Sequence, residues 1–425
     1  MREKPLFNRR DVLSYSLGVG TGVAATAGLA ACSPGGPSPT GHGASGPVDV
    51  KSFGAVGDGE ADDTAAVAAA VKSAKDHVVL YFPPGVYRMT SFPELPDFAT
   101  VTGAGADLST LRYDKDGVLI KLRGRHRVAF ARLGVCVTSR GGAAVQISNS
   151  FRCSFDAVTL RGNHLGSNFP QYQSQRGLVL DENSGGTALI NCDINNFGVG
   201  LTTRCIQNYV TNCKFTNNRI SVLGTGDDYN AGLAIMNTEF VSDTDEKTTG
   251  THLRIDGAAN DWFLTNVWFE GCDVAADIGS SDGGPAQFGV VNAKIAARKT
   301  GITFRHCRQP YLANVSFDHD AGRADGATAL SIDADGCPQG TASGLISGTS
   351  DDIPLTVFPP DWNVSCRHGK AGGRILTPMT MRAPAVSESQ EAAPVLADAD
   401  GGYWQLVVDA SGALTTRPLG KTPPK

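Results

Sequence analysis

Hydrophobic residues recur at a fixed distance after an asparagine through the second half of the chain. Each copy consists of Asn, two variable residues and then Ile or Phe, and the copies are NCDI at 191, NCKF at 212, NTEF at 237, NVWF at 266, NAKI at 292 and NVSF at 314. Their starts lie 21 to 29 residues apart, the length of one β-solenoid turn with variable loops. Stacked asparagine amides hydrogen-bond from turn to turn and satisfy polar groups at a buried corner. The repeat, with a less regular earlier turn at Phe151–Leu160, predicts a parallel β-solenoid.

The alternation of side chains along a strand assigns these positions to two faces. If the Ile or Phe points into the core, the residue directly after each asparagine does so too. This inward column is small and mostly apolar: Cys192, Cys213, Thr238, Val267, Ala293 and Val315. Cys192 and Cys213 would lie roughly 5 Å apart on adjacent turns. Two buried thiols and a disulfide are both compatible with that spacing.

The outward positions of the same strands carry polar and charged residues. Two places after each asparagine stand Asp193, Lys214, Glu239, Trp268, Lys294 and Ser316. Four places after it stand Asn195, Thr216, Val241, Glu270, Ala296 and Asp318. Glu239, Trp268 and Glu270 are therefore expected on one exposed face, with the backbones of the two glutamates roughly 8 Å apart.

The segment Val48–Tyr87 combines a short alternating run, a helix pattern and a strand pattern. Asp62 or Asp63 is the predicted N-cap of a helix over about 63–75, because a carboxylate accepts hydrogen bonds from the first free backbone amides. The apolar face of that helix would comprise Val67, Ala70, Val71 and Ala74. A strand follows at Val78–Phe82, and Pro83-Pro84-Gly85 ends it.

Within this segment, FGAVGDGEADDTAAV followed by VVLYFPPGVY resembles the N-terminal signature of the pectate-lyase-like superfamily, which includes rhamnogalacturonase, epimerase-type and phage tailspike proteins. The resemblance implies an all-β fold, a right-handed parallel β-helix whose N-terminal end is capped by this helix. It does not select a reaction, because the superfamily contains hydrolases, lyases, transferases, epimerases and binding proteins. The resemblance also leaves open whether the protein forms a homotrimer.

The first 32 residues have the pattern of an export signal and are excluded from the fold prediction. The stretch 8–13, NRRDVL, resembles a twin-arginine motif, and Leu29-Ala30-Ala31-Cys32 matches a bacterial lipobox in which Cys32 takes the lipid. The alternative is an ordinary signal peptide with a chance cysteine. Residues 33–47 would form a flexible linker. These motifs predict an exported cell-envelope lipoprotein or secreted protein, linked to a membrane only through Cys32.

The net charge and the cysteine spacing argue against two kinds of ligand, nucleic acid and zinc. The net charge of -5 argues against nucleic acid, which requires a basic surface. Of the ten cysteines, an odd number remains once Cys32 is lipidated, so at least one thiol is unpaired. No CxxC spacing indicates a zinc site.

The asparagine repeat ends near Asp335, so the solenoid is predicted to span 48–350 and a β-rich cap and tail to span 351–425. In this tail, Ile353–Phe358 has the composition of a strand and Asp361-Trp362-Asn363 that of a turn. Tyr403–Leu419 alternates around a turn at 410–412 and predicts a β-hairpin.

The preferred candidate chemistry is glycosidic cleavage by the paired carboxylates Glu239 and Glu270. Carboxylates at that separation act as general acid and general base with a water between them, and Trp268 offers a flat ring for a sugar. The alternative is that outward glutamates are solvated charges.

A second candidate pair is Asp227 with Asp228, which resembles the paired-aspartate motif of polygalacturonases. In that motif one aspartate acts as acid and its partner helps to activate water. His252 follows at a suitable distance, but it lacks flanking glycines and Arg254 comes too soon. Two aspartates before Tyr229 are also an ordinary turn sequence.

A third candidate is β-elimination from a uronate, which needs a base and a group that neutralises the carboxylate. Residues of the right type are Lys214, Lys294, Arg254, His252 and Tyr229. No cofactor is required by these motifs, although the acidic loop Asp243-Thr244-Asp245-Glu246 is a candidate calcium site.

The loop Gly162–Gly177 interrupts the repeat, and insertions in solenoids often wall a binding groove. Phe169, Tyr172 and His164 are therefore candidate substrate contacts, with a bare surface excursion as the alternative. Taken together, the sequence predicts an extracytoplasmic polysaccharide-degrading enzyme. A uronate lyase, a transferase and a non-catalytic glycan-binding or structural β-helix remain open.

Overall fold

The structure is a computed structural model that describes residues 46–74, 78–226, 232–319, 324, 326–347, 358–368, 395–398 and 400–421. The described residues form a right-handed parallel β-helix of about 11 turns, which confirms the predicted fold class. Each complete turn contributes strands to three stacked parallel sheets, called sheets one, two and three in the order in which the chain enters them. The predicted export signal, including Cys32, and linker residues 33–45 lie outside the described residues.

The sheets are built from short strands in the N-terminal turns. Sheet one contains Val48–Asp49, Val79–Phe82, Thr100–Gly103, Ala129–Ala131, Ser154–Asp156, Ala188–Ile190 and Asn208–Thr211. Sheet two contains Asp58–Asp62, Gly85–Met89, Ser109–Tyr113, Gly134–Val137, Thr159–Arg161, Asp193–Asn195 and Lys214–Thr216. Sheet three contains Gly117–Arg123, Gly142–Ser148, Arg176–Leu180, Val199–Thr203, Ile220–Gly224, Thr251–Ile255 and Thr328–Ile332.

The later turns use longer strands that bend from one sheet into the next. Ala259–Ile278 and Pro285–Phe304 pass through all three sheets. Sheets one and two share Leu233–Val241, Gln309–His319, Gln339–Ser347 and Asp361–His368.

In the six repeat turns, the bend between sheets one and two is an asparagine in the left-handed backbone conformation, and Arg132 and Ala157 have the same conformation at the corresponding bends of earlier turns. The six repeat asparagines have φ between 47° and 54°, a region that asparagine tolerates better than most residues. Their amides form the predicted ladder: Asn237 Nδ2 donates to Asn212 Oδ1 at 3.2 Å and Asn266 Nδ2 to Asn237 Oδ1 at 3.1 Å. The expectation of a buried ladder was wrong, because these side chains point outward and are exposed. The left-handed backbone conformation, rather than burial of the amide, therefore explains why asparagine recurs at this position.

The inward columns are placed as alternation predicts. The residues directly after the six asparagines are buried, and so is the Ile or Phe two residues further on. Phe215, Phe240 and Phe269 stack on successive turns with ring centroids 5.0 and 4.7 Å apart. Burial of each such ring contributes about 1.5–3 kcal/mol. The hydrophobic core is therefore a continuous stack along the solenoid axis.

Cys192 and Cys213 are free thiols in this core. The Cys192 thiol donates to the carbonyl oxygens of Ile190 and Phe155 at 3.3 and 3.4 Å. Cys213 Sγ accepts from the backbone amide of Cys192 at 3.4 Å. The structure thus has the buried-thiol arrangement rather than the disulfide.

The N-terminal end has the predicted helix, at Thr64–Ser73, with Val67 and Ala70 buried. Asp62 Oδ1 accepts from the Thr64 amide at 3.0 Å. Asp63 stands at the N-cap but makes no side-chain capping bond, because its carboxylate accepts from the amides of residues 56 and 57. The alternating run before it becomes a 3₁₀ helix at Val50–Phe53, and a second 3₁₀ helix lies at Gly166–Asn168.

The C-terminal part departs from one prediction and confirms another. Asp361-Trp362-Asn363 was expected as a turn, but it begins the parallel strand Asp361–His368, so the sheet extends past residue 350. Trp362 is buried and its Nε1 donates to the Cys337 carbonyl at 2.9 Å, which explains why this segment enters the solenoid. The predicted strand Ile353–Phe358 lies outside the described residues except for Phe358.

The predicted hairpin is present as a separate antiparallel sheet. Tyr403–Val408 pairs with Leu414–Gly420, and Val395–Ala397 adds a third strand. Asp409 Oδ1 closes the turn by accepting from the amides of Ser411 and Ala413. Among the described residues, no helix is long and apolar enough to cross a membrane.

Candidate functional site

The outward column of sheet two aligns as the sequence predicts. Lys214, Glu239, Trp268 and Lys294 are direct partners on four successive turns. Three of them, Glu239, Trp268 and Lys294, line a shallow open depression together with Asn237, Asn266 and Asn292. This depression, called the sheet-two site, therefore joins the asparagine ladder to the charged column.

Trp268 lies at the centre of the sheet-two site and 43% of it is exposed. Its Nε1 donates to Glu270 Oε2 at 2.8 Å, which fixes the edge of the indole ring. The Lys294 ammonium lies 4.5 Å from the ring centroid, in cation–π geometry over one face. The ring is thus held in a defined orientation on an open surface.

The two candidate glutamates have different partners. Glu239 Oε2 lies 3.2 Å from Lys214 Nζ on the preceding turn, and both side chains are about half exposed. Glu270 instead accepts from Trp268, on its own turn. The structure confirms that Glu239, Trp268 and Glu270 share one surface, but the two carboxylates are engaged separately and do not converge on a common partner.

A bulge beside Glu270 limits the alternation rule. Gly271 has φ of 78°, and the register shifts between Phe269 and Cys272. Ala296, which was predicted to point outward, is buried. The extra residue changes which side chains of this strand face the core after Glu270, whereas Ala296 lies on the next turn, in the strand Pro285–Phe304.

His252 is not a surface residue, so its prediction as a substrate contact was wrong. Its ring is fully buried beside Phe240 and Phe269, with centroids 5.9 and 6.1 Å away. Nε2 lies 2.8 Å from the Glu270 carbonyl oxygen, and Nδ1 lies 2.9 Å from Ser221 Oγ. Burial lowers the pKa of His252 to about 4. The neutral ring therefore donates from Nε2 to the carbonyl and accepts from Ser221 at Nδ1.

Arg254 lies on a different face from Lys214 and Lys294, so the predicted basic cluster is divided. It is an outward residue of sheet three, paired in register with Leu223 and Asp277. Its Nε lies 3.7 Å from Asp256 Oδ2. Asp227, Asp228 and Tyr229 lie outside the described residues.

The insertion between sheets two and three makes structural contacts. His164 is buried, with Nε2 2.7 Å from the Thr248 carbonyl oxygen, so it is not the predicted substrate contact. The Gly166 amide donates to Thr248 Oγ1 at 2.9 Å. Phe169 lies under the Arg219 guanidinium at 5.0 Å. These contacts join the insertion to the loop around residue 248, and Tyr172 in the same insertion is half-buried.

The acidic loop at 243–246 uses its carboxylates to hold its own backbone. Asp243 Oδ1 accepts from the Asp245 amide at 3.0 Å, and Asp245 Oδ1 accepts from the Lys247 amide at 2.9 Å. Over the part of the chain that the structure describes, no group of three or more His, Cys, Asp or Glu side chains is arranged to hold a metal ion.

Two outward features were missed by the sequence analysis. Sheet three carries further arginines in ion pairs, Arg204 with Asp181 at 3.4 Å and Arg305 with Asp277 at 2.8 Å. Sheet one carries exposed aromatic residues three places before the repeat asparagines. The aromatic residues have a fixed position relative to the repeat asparagines, so the sequence alone could have shown them. The arginines are separated from the repeat by loops of variable length.

Comparisons with known proteins agree with this architecture. Residues 47–225 match the family model described as Rhamnogalacturonase A/epimerase, pectate lyase-like. This match and the parallel β-helix support the resemblance to the pectate-lyase-like superfamily. A search of curated proteins finds no match.

Several solved structures are similar in fold. The N-terminal fragment of bacteriophage Phi29 gene product 12 is 12% identical with a TM-score of 0.51, over 77% of this chain and 73% of that chain. A Thermotoga maritima exopolygalacturonase is 11% identical with a TM-score of 0.48, over 75% and 92%. The A-module of Azotobacter vinelandii mannuronan C-5 epimerase AlgE4 is 15% identical with a TM-score of 0.44, over 75% and 99%. At these identities the likeness concerns the fold alone.

Proposed function

We propose that this protein is an exported β-helix that binds a polysaccharide at the sheet-two site. The observation that carries the proposal is the orientation of Trp268, an exposed indole held by Glu270 at its edge and by Lys294 over one face. A ring fixed in advance loses little conformational freedom when a sugar stacks on it. The twin-arginine and lipobox motifs support delivery to the cell envelope, with Cys32 as the lipid anchor.

The surroundings of Trp268 supply the polar half of such a site. The amides of Asn237, Asn266 and Asn292 line the same depression and can exchange ladder hydrogen bonds for bonds to sugar hydroxyls. A sugar ring stacks on the part of the indole that Lys294 leaves exposed. The Lys214–Glu239 ion pair borders the site and is accessible to water.

A second candidate is glycosidic hydrolysis by Glu239 and Glu270. The observation that favours it is their placement beside one exposed tryptophan on adjacent turns, where a bound glycan would lie between two carboxylates. Their separate partners favour binding as the primary function. Lyase chemistry has less support, because Arg254 and His252 do not share a surface with Lys214 and Lys294.

The test is binding and turnover on a panel of neutral and acidic polysaccharides. We expect at least one glycan to bind, and Trp268→Ala to weaken that binding by about threefold to tenfold. Leu108→Ala removes an exposed apolar side chain elsewhere and is the matched control. Failure of the wild-type protein to bind any glycan of the panel would overturn the proposal.

Turnover is measured in the same samples. New reducing ends that disappear in both Glu239→Gln and Glu270→Gln would establish hydrolysis. Ultraviolet absorbance from unsaturated uronates would show a lyase instead. Binding without either signal is the result expected for a binding protein.

A further inference from the structure

The outer face of sheet one carries a column of aromatic rings that the sheet-two site does not use. In register, this column runs Tyr209, Ala234, Phe263, Gly289 and Tyr311 over five successive turns. Tyr209, Phe263 and Tyr311 are 49%, 48% and 45% exposed. Three large apolar side chains thus stand in one row on the surface of the solenoid.

The aromatic residues of this column alternate with Ala234 and Gly289, the two smallest kinds of residue. Because adjacent strands lie about 4.8 Å apart, the backbones of successive ring-bearing residues are roughly 10 Å apart. A Cβ at Gly289 would lie 3.2 Å from Phe263 Cδ1 and 3.9 Å from Tyr311 Cδ1, so both rings extend over this glycine. The alternation therefore places a ring on every second turn, and the Phe263 and Tyr311 rings both lean over the glycine between them.

Among the positions that flank this column in register, Asp261 is charged, and it is the strand partner of Gln287 on the next turn. The neighbouring column over the same five turns consists of Thr211, Met236, Thr265, Val291 and Ala313, of which Met236 is exposed and Ala313 is buried. Beyond it lies the asparagine ladder. On the opposite side, Gln287 Nε2 donates to Gln309 Oε1 at 2.9 Å. A face with rings in its middle column, and amides together with the Asp261 carboxylate at its margins, matches a ligand that is rich in hydroxyl groups. The carboxylate disfavours a negatively charged ligand.

We propose that this face binds an extended neutral polysaccharide that runs parallel to the solenoid axis. Sugar rings at every second position stack on Tyr209, Phe263 and Tyr311, and the marginal amides bind hydroxyls. The inference rests on the proposed polysaccharide-binding function and adds a second face and a class of glycan to it. A ring on every second turn, with polar side chains along the margin, favours a ligand that repeats and carries hydroxyl groups over a second copy of this chain.

The experiment uses the full chain and measures affinity by isothermal titration and affinity electrophoresis. The probes are soluble β-glucan, xylan and galactomannan as neutral glycans, and polygalacturonate and alginate as acidic ones. We expect Phe263→Ala and Tyr311→Ala each to weaken binding of a neutral glycan about threefold to tenfold. Phe263→Trp retains a ring and should retain affinity. Gly289→Gln places a Cβ 3.2 Å from Phe263 Cδ1, so it should displace that ring and weaken binding.

The outcomes separate this inference from the proposed function. If a neutral glycan binds and only Trp268→Ala weakens it, the sheet-one face is not the site and the proposed function stands. Binding of acidic glycans alone also overturns the inference. A change of oligomeric state in Phe263→Ala, with unchanged glycan affinity, would assign the face to a second copy. If no glycan binds the wild-type protein, both proposals fail.

Discussion

The imidazole Nε2 of His252 lies 2.8 Å from the main-chain carbonyl oxygen of Glu270, and the two residues belong to different strands of the solenoid. A fully buried ring in sheet three thus holds the backbone of an exposed residue of the sheet-two site. Gly271, the next residue, begins the bulge at which the register shifts. His252 is therefore a positioning residue, and its protonation is coupled to the stability of this corner.

The free energy of unfolding should decrease as the pH is lowered, because of His252. Burial lowers its pKa from 6.5 to about 4, so below pH 6.5 the unfolded chain takes up a proton that the folded chain excludes. The contribution is fully present above about pH 6.5 and is lost as the pH falls through about 4. The contribution of His252 to the free energy of unfolding is on the order of 3 kcal/mol.

Urea unfolding of the wild type and of His252→Gln at pH 7 and pH 4.5 measures this contribution. Glutamine does not titrate, so the variant should lose less stability between the two pH values than the wild type. Equal losses would show that other groups, such as the buried His164, cause the acid sensitivity.

Replacing Asn266 by alanine and by glycine should change stability by different amounts, because of the backbone conformation at this position. Its φ is 54°, where alanine is strained and glycine is not. Asn266→Ala and Asn266→Gly both remove the amide that donates to Asn237 at 3.1 Å. We expect the alanine variant to be less stable than the glycine variant by about 1 kcal/mol in denaturant unfolding. Equal stabilities would mean that the amide ladder, rather than the backbone, requires asparagine there.

The ion pair between Lys214 and Glu239 should contribute little to folding. Both side chains are about half exposed, and exposed pairs contribute about 0.2–1 kcal/mol. A double-mutant cycle with Lys214→Met and Glu239→Gln should give a coupling energy in that range that decreases with salt. A larger, salt-independent coupling would indicate that the pair is desolvated.

Thiol labelling should separate Cys136 from the buried cysteines. Among the cysteines whose side chains the structure describes, Cys136 alone is half-buried and the rest are buried. Burial also raises the pKa of Cys307 to about 12, so little of it is thiolate. Mass spectrometry of the native protein should find Cys136 labelled before Cys192 and Cys213, and Cys136→Ser should remove the early label. A cross-linked Cys192–Cys213 peptide would contradict the free thiols.

The asparagine repeat predicted much of the solenoid because its information is local. Each asparagine marks a left-handed corner, and strict alternation then places Cys192 and Phe240 inward and Glu239 and Trp268 outward. The rule failed at Ala296, which is buried although its place in the repeat predicts an outward side chain. It also failed at Asp361-Trp362-Asn363, where burial of Trp362 overrides turn-forming composition.

By itself, the sequence determined the fold class, the corner positions and the order of side chains along sheet two, because strand periodicity and left-handed corners depend on neighbouring residues. Tertiary structure decided which faces are shared. His252 and Arg254 stand two residues apart, yet one enters the core and the other faces solvent on sheet three. Loops of variable length set how each turn closes, so the surroundings of Glu270, including its contact with the buried His252, emerge only when the turns are stacked.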